Sequence, residues 1–534
     1  MVSDHHLASE VGARVLREGG NAVDAAVATA FALAVVLPSA GNVGGGGFLV
    51  HHGAEGDVTT FDFREKAPLA ATETMFLDES GALPENANHE GPLTVGVPGT
   101  VAGLWEAHRK FGRLPWADLV QPAVDLARDG YPWTRRDHKF VEELLKQDDP
   151  LYDETKRIFL RDGATPFRPG DLFRQPDLAR TLERIRDHGR DGFYTGETAR
   201  LLAAFMGEAG GWITEEDLEK YEAVEHPPVR GTYRGYDIYG MGPPSSGGVV
   251  LVEMLNILEG YDLAALGHNT APALHLMTES MRRAYADRAR YLGDPDFNEL
   301  PVDRLLSKEH AAAVRATIDP RAASRSDSTG FGEVYLKDES EQTTHLSVID
   351  AAGHAVALTF TLEESYGSSL VAPGTGFLLN NEMGDFNPIP GHTGADGKIG
   401  TPPNLIAPEK RMLSSMSPTI VARDGAPVLV LGSPGGRTII NTVLQVILNV
   451  VDHVLTLREA VDAPRIHHQW FPDAVYFEGT GFPPELRREF AAFGHGVRFR
   501  KPQGSVMGII VDLATGVPTG VADSRSFDGG ASTP

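Results

Sequence analysis

The chain contains no cysteine. Disulfides, thiolate nucleophiles, iron–sulfur clusters and cysteine-bound zinc are therefore excluded, and a covalent catalyst must be a hydroxyl, an amine, a carboxylate or a metal-bound water. Basic charge is scarce: 48 Lys and Arg stand against 73 Asp and Glu, a formal net charge of -25. That balance opposes phosphate backbones and anionic membranes, so no nucleic-acid partner is expected. Long apolar runs are also missing. The most apolar stretch, 22–37, includes Asp24 and Thr29, is too short for a membrane span and reads as a buried Ala-rich helix. Met1-Val-Ser-Asp-His-His lacks a basic region followed by an apolar one, so no export leader is read there, and the abrupt opening leaves an upstream start open. No Gly-x-Ser-x-Gly elbow stands between a strand and a helix. Paired histidines occur at His5-His6, His51-His52 and His467-His468, none with the four-residue helical spacing of a zinc pair. They read as packing or surface groups; no metal and no cofactor is expected.

What is present is a soluble globular composition, 41% hydrophobic and 23% charged, over 534 residues. Leu7, Val11 and Val15 mark a first helix that Glu18-Gly19-Gly20 stops, and Asn21 caps a second running to Val36. Gly41-Asn-Val-Gly-Gly-Gly-Gly47 follows a helix and enters the strand Phe48-Leu49-Val50. A phosphate loop has the reverse order, so this run reads as a close backbone approach inside a sheet. Thr59 to Arg64 is a second strand, residues 100–305 are mostly helical and charged, and Arg321 to Glu341 is polar and expected to be exposed and mobile. The sequence then turns strongly β. Thr343 to Asp350 and His354 to Thr361 flank Ala351-Ala352-Gly353, which suits a hairpin with positive φ at the glycine. Pairing Asp350 with His354 and counting outward sets Thr343 opposite Thr361. Finally, Val428 to Leu431 leads through Gly432-Ser-Pro-Gly-Gly436-Arg437 into an apolar helix from about Thr438. Free N–H groups at such a junction favour negative charge, for an oxyanion hole or for a plain tight turn.

A threonine opening a strand after a polar stretch can be its own catalyst, with its α-amino group as base once the chain is cut before it. Glu341-Gln-Thr-Thr-His-Leu-Ser-Val348 is similar to the processing site of the γ-glutamyltransferases, members of the N-terminal nucleophile hydrolases. The resemblance is spread over the chain: Glu18 to Ala26, Ala40 to Phe48, Asp62 to Pro68, Val97 to Gly103, Pro243 to Gly248 and Ala284 to Arg288 precede the site. Leu379 to Phe386, Leu413 to Thr419, Gly432 to Gly436 and Arg465 to Trp470 follow it.

The resemblance implies an α+β four-layer αββα sandwich and cleavage between Gln342 and Thr343. The products would be a large subunit 1–342 and a small subunit 343–534 that share one core as a heterodimer. It implies Thr343 as nucleophile, Thr361 as its hydrogen-bond partner, and Gly435 and Gly436 as oxyanion donors. Arg64, assisted by Ser414 and Ser415, would hold the glutamyl carboxylate, the alternative for Arg64 being a structural salt bridge with a nearby acid, with Glu382 and Asp385 on the ammonium. Glu363 stands where many relatives carry Asn; it is placed in the ammonium pocket as a third acid, the alternative being that it turns away and pairs elsewhere. Donors would be γ-glutamyl amides such as glutathione, with water or amines as acceptors. The segment Asn387 to Ile406 corresponds to a lid but holds no Phe, Tyr or Trp. Location is periplasmic or secreted by family analogy, with a cytoplasmic protein left open by the absent leader. The rival readings are an acylase on the same scaffold (cephalosporin acylase or poly-γ-glutamate transferase) and an uncleaved binding protein.

Overall fold

Two antiparallel sheets lie face to face in the computed structural model, which describes residues 1–326, 334–335, 342–394 and 402–534, the side chains of 334–335 and 393–394 aside. The first sheet runs Gly530–Ala531, Val2–Ser3, Thr344–Ile349, Ala355–Thr361, Gly46–His52, Val58–Phe63, Val224–His226. The second runs Pro518–Ala522, Met507–Val511, Ala426–Gly432, Thr419–Arg423, Tyr236–Gly240, Val229–Tyr233. Small residues between them, Ala355 and Ala357 against Val50, Ile420 and Val430, let the sheets approach closely. Ser347 Oγ donates across the gap to the Met507 carbonyl at 2.8 Å.

Each outer face is covered by helices. His6–Arg17, Ala22–Val36, Thr100–Phe111 and Trp116–Asp129 form the layer on the first sheet, and Gly247–Leu258, Ala271–Tyr291 and Thr438–Val451 that on the second. This is the expected αββα order, and it is how two one-sided sheets bury both faces. Both sheets contain strands from before and from after position 342.

The local expectations hold where the signal was strong. Asn21 caps Ala22–Val36 with a reciprocal Asp24 contact, and every residue of that helix is buried, an arrangement worth about 1 kcal/mol at the cap alone. The hairpin pairs Thr344 with Phe360 and Ile349 with Ala355, the counted register, and Gly353 has φ 92. The glycine run 44–47 packs against the backbone of Leu378, Thr361, Phe63 and Thr359, leaving no room for a Cβ. The middle of the chain is less purely helical than its charge suggested. Val229–Tyr233 and Tyr236–Gly240 form a hairpin through Arg234 and Gly235, φ 49 and 82, which is primed-turn geometry. Their exposed polar faces masked the alternation. Most of 321–341 and the 395–401 part of the lid segment lie outside the described residues.

Candidate active site

Antiparallel pairing brings chain ends from both sheets to one edge of the sandwich. Thr361 pairs with Gly46, Gly47 with Phe63, and Thr344 with Phe360, which sets Thr343, Thr361 and Arg64 side by side. In the second sheet Thr419 pairs with both Leu431 and Gly240, which brings in Ser414–Ser415 and the 433–437 turn. The cleft at this edge is lined by Arg64, Arg288, Gln342, Thr343, Thr361, Glu363, Glu382, Asp385, Ser414, Ser415, Met416, Gly436, Arg437 and Ile439.

Thr343 is buried, 4% exposed. With the Gln342–Thr343 peptide intact, its Oγ1 donates to the Gln342 carbonyl and lies 3.4 Å from Thr361 Oγ1. Thr361 is itself held: its hydroxyl accepts from the Glu363 N–H at 3.0 Å, and its carbonyl accepts from Asn42 Nδ2 at 2.8 Å. Asn42 Oδ1 also accepts from Gly45 N and Thr100 Oγ1, so the glycine run and its asparagine brace the strand end beside the hydroxyl pair.

Opposite the threonines, Arg64 is 1% exposed and paired with Glu382 and Asp385, the latter at 2.5 Å, with Glu65 at 3.7 Å. Burial opposes its charge, but these acids outweigh it and its pKa is raised. The acids respond in kind. Burial pushes Glu65 up to about 7 against the pull of Arg64. Glu382 is driven well above the usual carboxylate range by burial, with Arg64 opposing and Glu65, Asp385 and Glu363 adding repulsion. The cluster therefore retains a proton towards neutral pH. Glu363 has a side chain 9% exposed, with Oε2 3.7 Å from His89 Nδ1, and a left-handed backbone, φ 80.

At the far wall the strand Ala426–Gly432 passes through Gly435, φ 132, and Gly436, φ 54, into the helix Thr438–Val451. The Gly435 carbonyl accepts from Thr438 N and Oγ1, and that of Gly436 from Ile439 N. Their carbonyls thus point into the helix, and their N–H groups have no acceptor among the described residues. Such a pair of donors at a helix start is suited to an oxyanion.

The sequence model of the gamma-glutamyltranspeptidase family matches residues 8–533. The chain belongs to the gamma-glutamyltranspeptidase family. Among its relatives is a glutathione hydrolase proenzyme of Escherichia coli strain K12, 45% identical over 529 residues, 98% of this chain and 89% of the relative. The Acylase ACY 1 proenzyme of Pseudomonas sp. strain V22 is 37% identical over 98% of this chain and 92% of its own length. The crystal structure of the cephalosporin acylase from Bacillus halodurans superposes with a TM-score of 0.85 at 27% identity, covering 100% of this chain and 95% of that one. Like these proenzymes, this gamma-glutamyltranspeptidase-family chain is an autoprocessed acyl-transfer enzyme.

All the residues singled out by sequence converge at this cleft, with Gly435 one position behind the lining Gly436. One pairing matches the alternative reading of Arg64, a salt bridge with nearby acids. The acids assigned to the ammonium and the arginine assigned to the carboxylate contact each other directly. Sequence reading missed Arg288 and Arg437, which line the cleft from a long helix and a helix cap, and Glu65 and His89, which lie against the lining residues Arg64 and Glu363. Among the described residues, three groups of imidazole and carboxylate come close enough to share a cation: His275–Glu279–His495, His89–Glu363–Glu364 and Glu253–Asp287–His310. Only the second borders the cleft. The paired histidines belong to none of them. Among the described residues no helix is long and apolar enough to cross a membrane.

Proposed function

We propose that this chain cleaves itself between Gln342 and Thr343 and then acts as a γ-glutamyltransferase and glutathione hydrolase, with 1–342 and 343–534 remaining together as a heterodimer. The observation that carries this reading is the position of Thr343. Its hydroxyl contacts the carbonyl before it and the Thr361 hydroxyl, across a cleft from Arg64 and three acids. In the precursor, Oγ1 attacks the Gln342 carbonyl carbon, the C–N bond breaks, and water hydrolyses the resulting ester to leave a free Thr343 amine. That amine then takes the hydroxyl proton when Oγ1 attacks a γ-glutamyl amide. The oxyanion lies at the N–H groups of Gly435 and Gly436, the leaving amine carries off the proton, and water or an amine acceptor resolves the γ-glutamyl ester. Loss of one such donor typically costs roughly two to three orders of magnitude.

The Arg64–Glu382–Asp385 cluster explains the donor. A zwitterionic glutamyl end exchanges partners with it, its carboxylate taking Arg64 and the serine pair, its ammonium taking the acids, Glu363 included. An acyl group without an ammonium offers Glu382 and Asp385 nothing in return for breaking their pairs, which weighs against the acylase reading. By family analogy the enzyme works in the periplasm or outside the cell. The test is kcat/KM on glutathione and on γ-glutamyl- and glutaryl-p-nitroanilide, which differ only in the ammonium. Preference for the γ-glutamyl donor by at least about tenfold, one charge-assisted contact, is expected. Preference for the glutaryl donor would move the chain to the acylases.

A further inference from the structure

The helix Ala271–Tyr291 carries Arg288 to the wall of the cleft, where it is 5% exposed. Its guanidinium is fixed at two points: Nε donates to Ser246 Oγ at 2.8 Å and Nη2 to Ser415 Oγ at 2.9 Å. Ser246 passes the constraint on, because its hydroxyl and its N–H both donate to the Ser414 carbonyl, at 2.6 and 2.8 Å. The side chain of Ser415 and the backbone of Ser414 are thus held from one arginine of another segment.

The direction of these bonds matters. A hydroxyl that accepts from a guanidinium keeps its own proton for a different acceptor and becomes a stronger donor. Ser414 Oγ likewise accepts, from Met416 N at 3.1 Å. With one lone pair of each hydroxyl engaged by the protein, both serines, which line the cleft, keep their O–H protons for another acceptor, as a carboxylate site requires. Arg64 has its charge met by Glu382 and Asp385.

We propose that Arg288 is a positioning residue of the donor site. Through Ser415 and Ser246 it orients and polarises the serine pair that receives the donor's α-carboxylate, so that selection for this group depends on Arg288 as well as on Arg64. The inference rests on the γ-glutamyl reading of the cleft. It also predicts that lysine is a partial substitute: an ammonium keeps the charge but lacks the planar fork that spans two hydroxyls.

The experiment compares two donors, γ-glutamyl-p-nitroanilide and the same anilide with its α-carboxylate converted to a carboxamide, on wild type, Arg288→Met and Arg288→Lys. For Arg288→Met, KM for the carboxylate donor should rise about 10- to 100-fold, the range of one charge-assisted hydrogen bond. The kcat should stay within about threefold and KM for the carboxamide within about twofold. Arg288→Lys should recover part of the loss. Equal effects on both donors, or an unchanged KM, would overturn the proposal. If Arg288→Met fails to mature, Arg288→Lys decides: a carboxylate-specific rise of about threefold or more supports it, and no donor-specific change overturns it. A mature wild type inert towards both donors would instead overturn the γ-glutamyl reading.

Discussion

Replacing Glu363 by Ala should weaken donor binding without disabling the chemistry. The Glu363 carboxylate lies in the cleft, largely buried, and its charge is felt by Glu382, whose pKa it helps to raise. Against a donor ammonium, one charge-assisted contact is worth about 1.5–3 kcal/mol. Removing Glu363 also relieves repulsion among the remaining acids, so the net loss should be about 1–2 kcal/mol, a rise in KM of roughly 5- to 30-fold. The contact from residue 363 to Thr361 Oγ1 is made by the backbone N–H and survives in alanine, so kcat should stay within about threefold. Asparagine is the control, because Asn tolerates the left-handed backbone at this position, φ 80, better than most residues. Glu363→Asn should show a raised KM with no loss of stability. Steady-state kinetics on γ-glutamyl-p-nitroanilide reads both variants. An unchanged KM in Glu363→Ala would remove Glu363 from the donor pocket and leave it as a partner of His89.

The same cleft makes three further predictions. Glu65 is pushed up from 4.5 to about 7 by burial, so its stabilising protonated form is complete below about pH 4.5 and lost as pH rises to 7. Wild type should therefore lose up to about 3 kcal/mol relative to Glu65→Gln across that window; parallel denaturation curves at the two pH values would refute this. Arg64→Met strands Glu382 and Asp385 and should cost about 3–5 kcal/mol, partly recovered by adding Glu382→Gln; chemical denaturation of the uncleaved Thr343→Ala form checks both. Gly435→Ala forces an L-residue to φ 132 and disturbs the oxyanion turn, so kcat should fall by about 10²–10³ with KM little changed; a wild-type kcat would exclude the turn from catalysis.

The hairpin that presents Thr343 and Thr361 was legible because strand alternation and one glycine turn fix a register completely. The capped helix Ala22–Val36 and the glycine run were equally plain, since Asn21 and the crowded glycines carry local signals. The hairpin 229–240 was not, because residues such as Arg230 and Asp237 pair on its exposed face and blur the period. Arg288 and Glu65 escaped for a different reason. Nothing in the sequence around a buried arginine or glutamate says which distant hydroxyl or charge it will meet. The direct Arg64–Glu382–Asp385 pairing was legible only in part: a salt bridge from Arg64 to a nearby acid was one reading of the sequence, and only the fold names Glu382 and Asp385 as the acids.

The central claim is that Thr343 becomes the N-terminal nucleophile. Intact mass by denaturing mass spectrometry, on freshly purified protein and after incubation at neutral pH, tests it most directly. Two fragments breaking between Gln342 and Thr343, absent in Thr343→Ala, are expected, the smaller one gaining a γ-glutamyl group when quenched during turnover. A single chain that persists in the wild type, or a cut at any other bond, would contradict it.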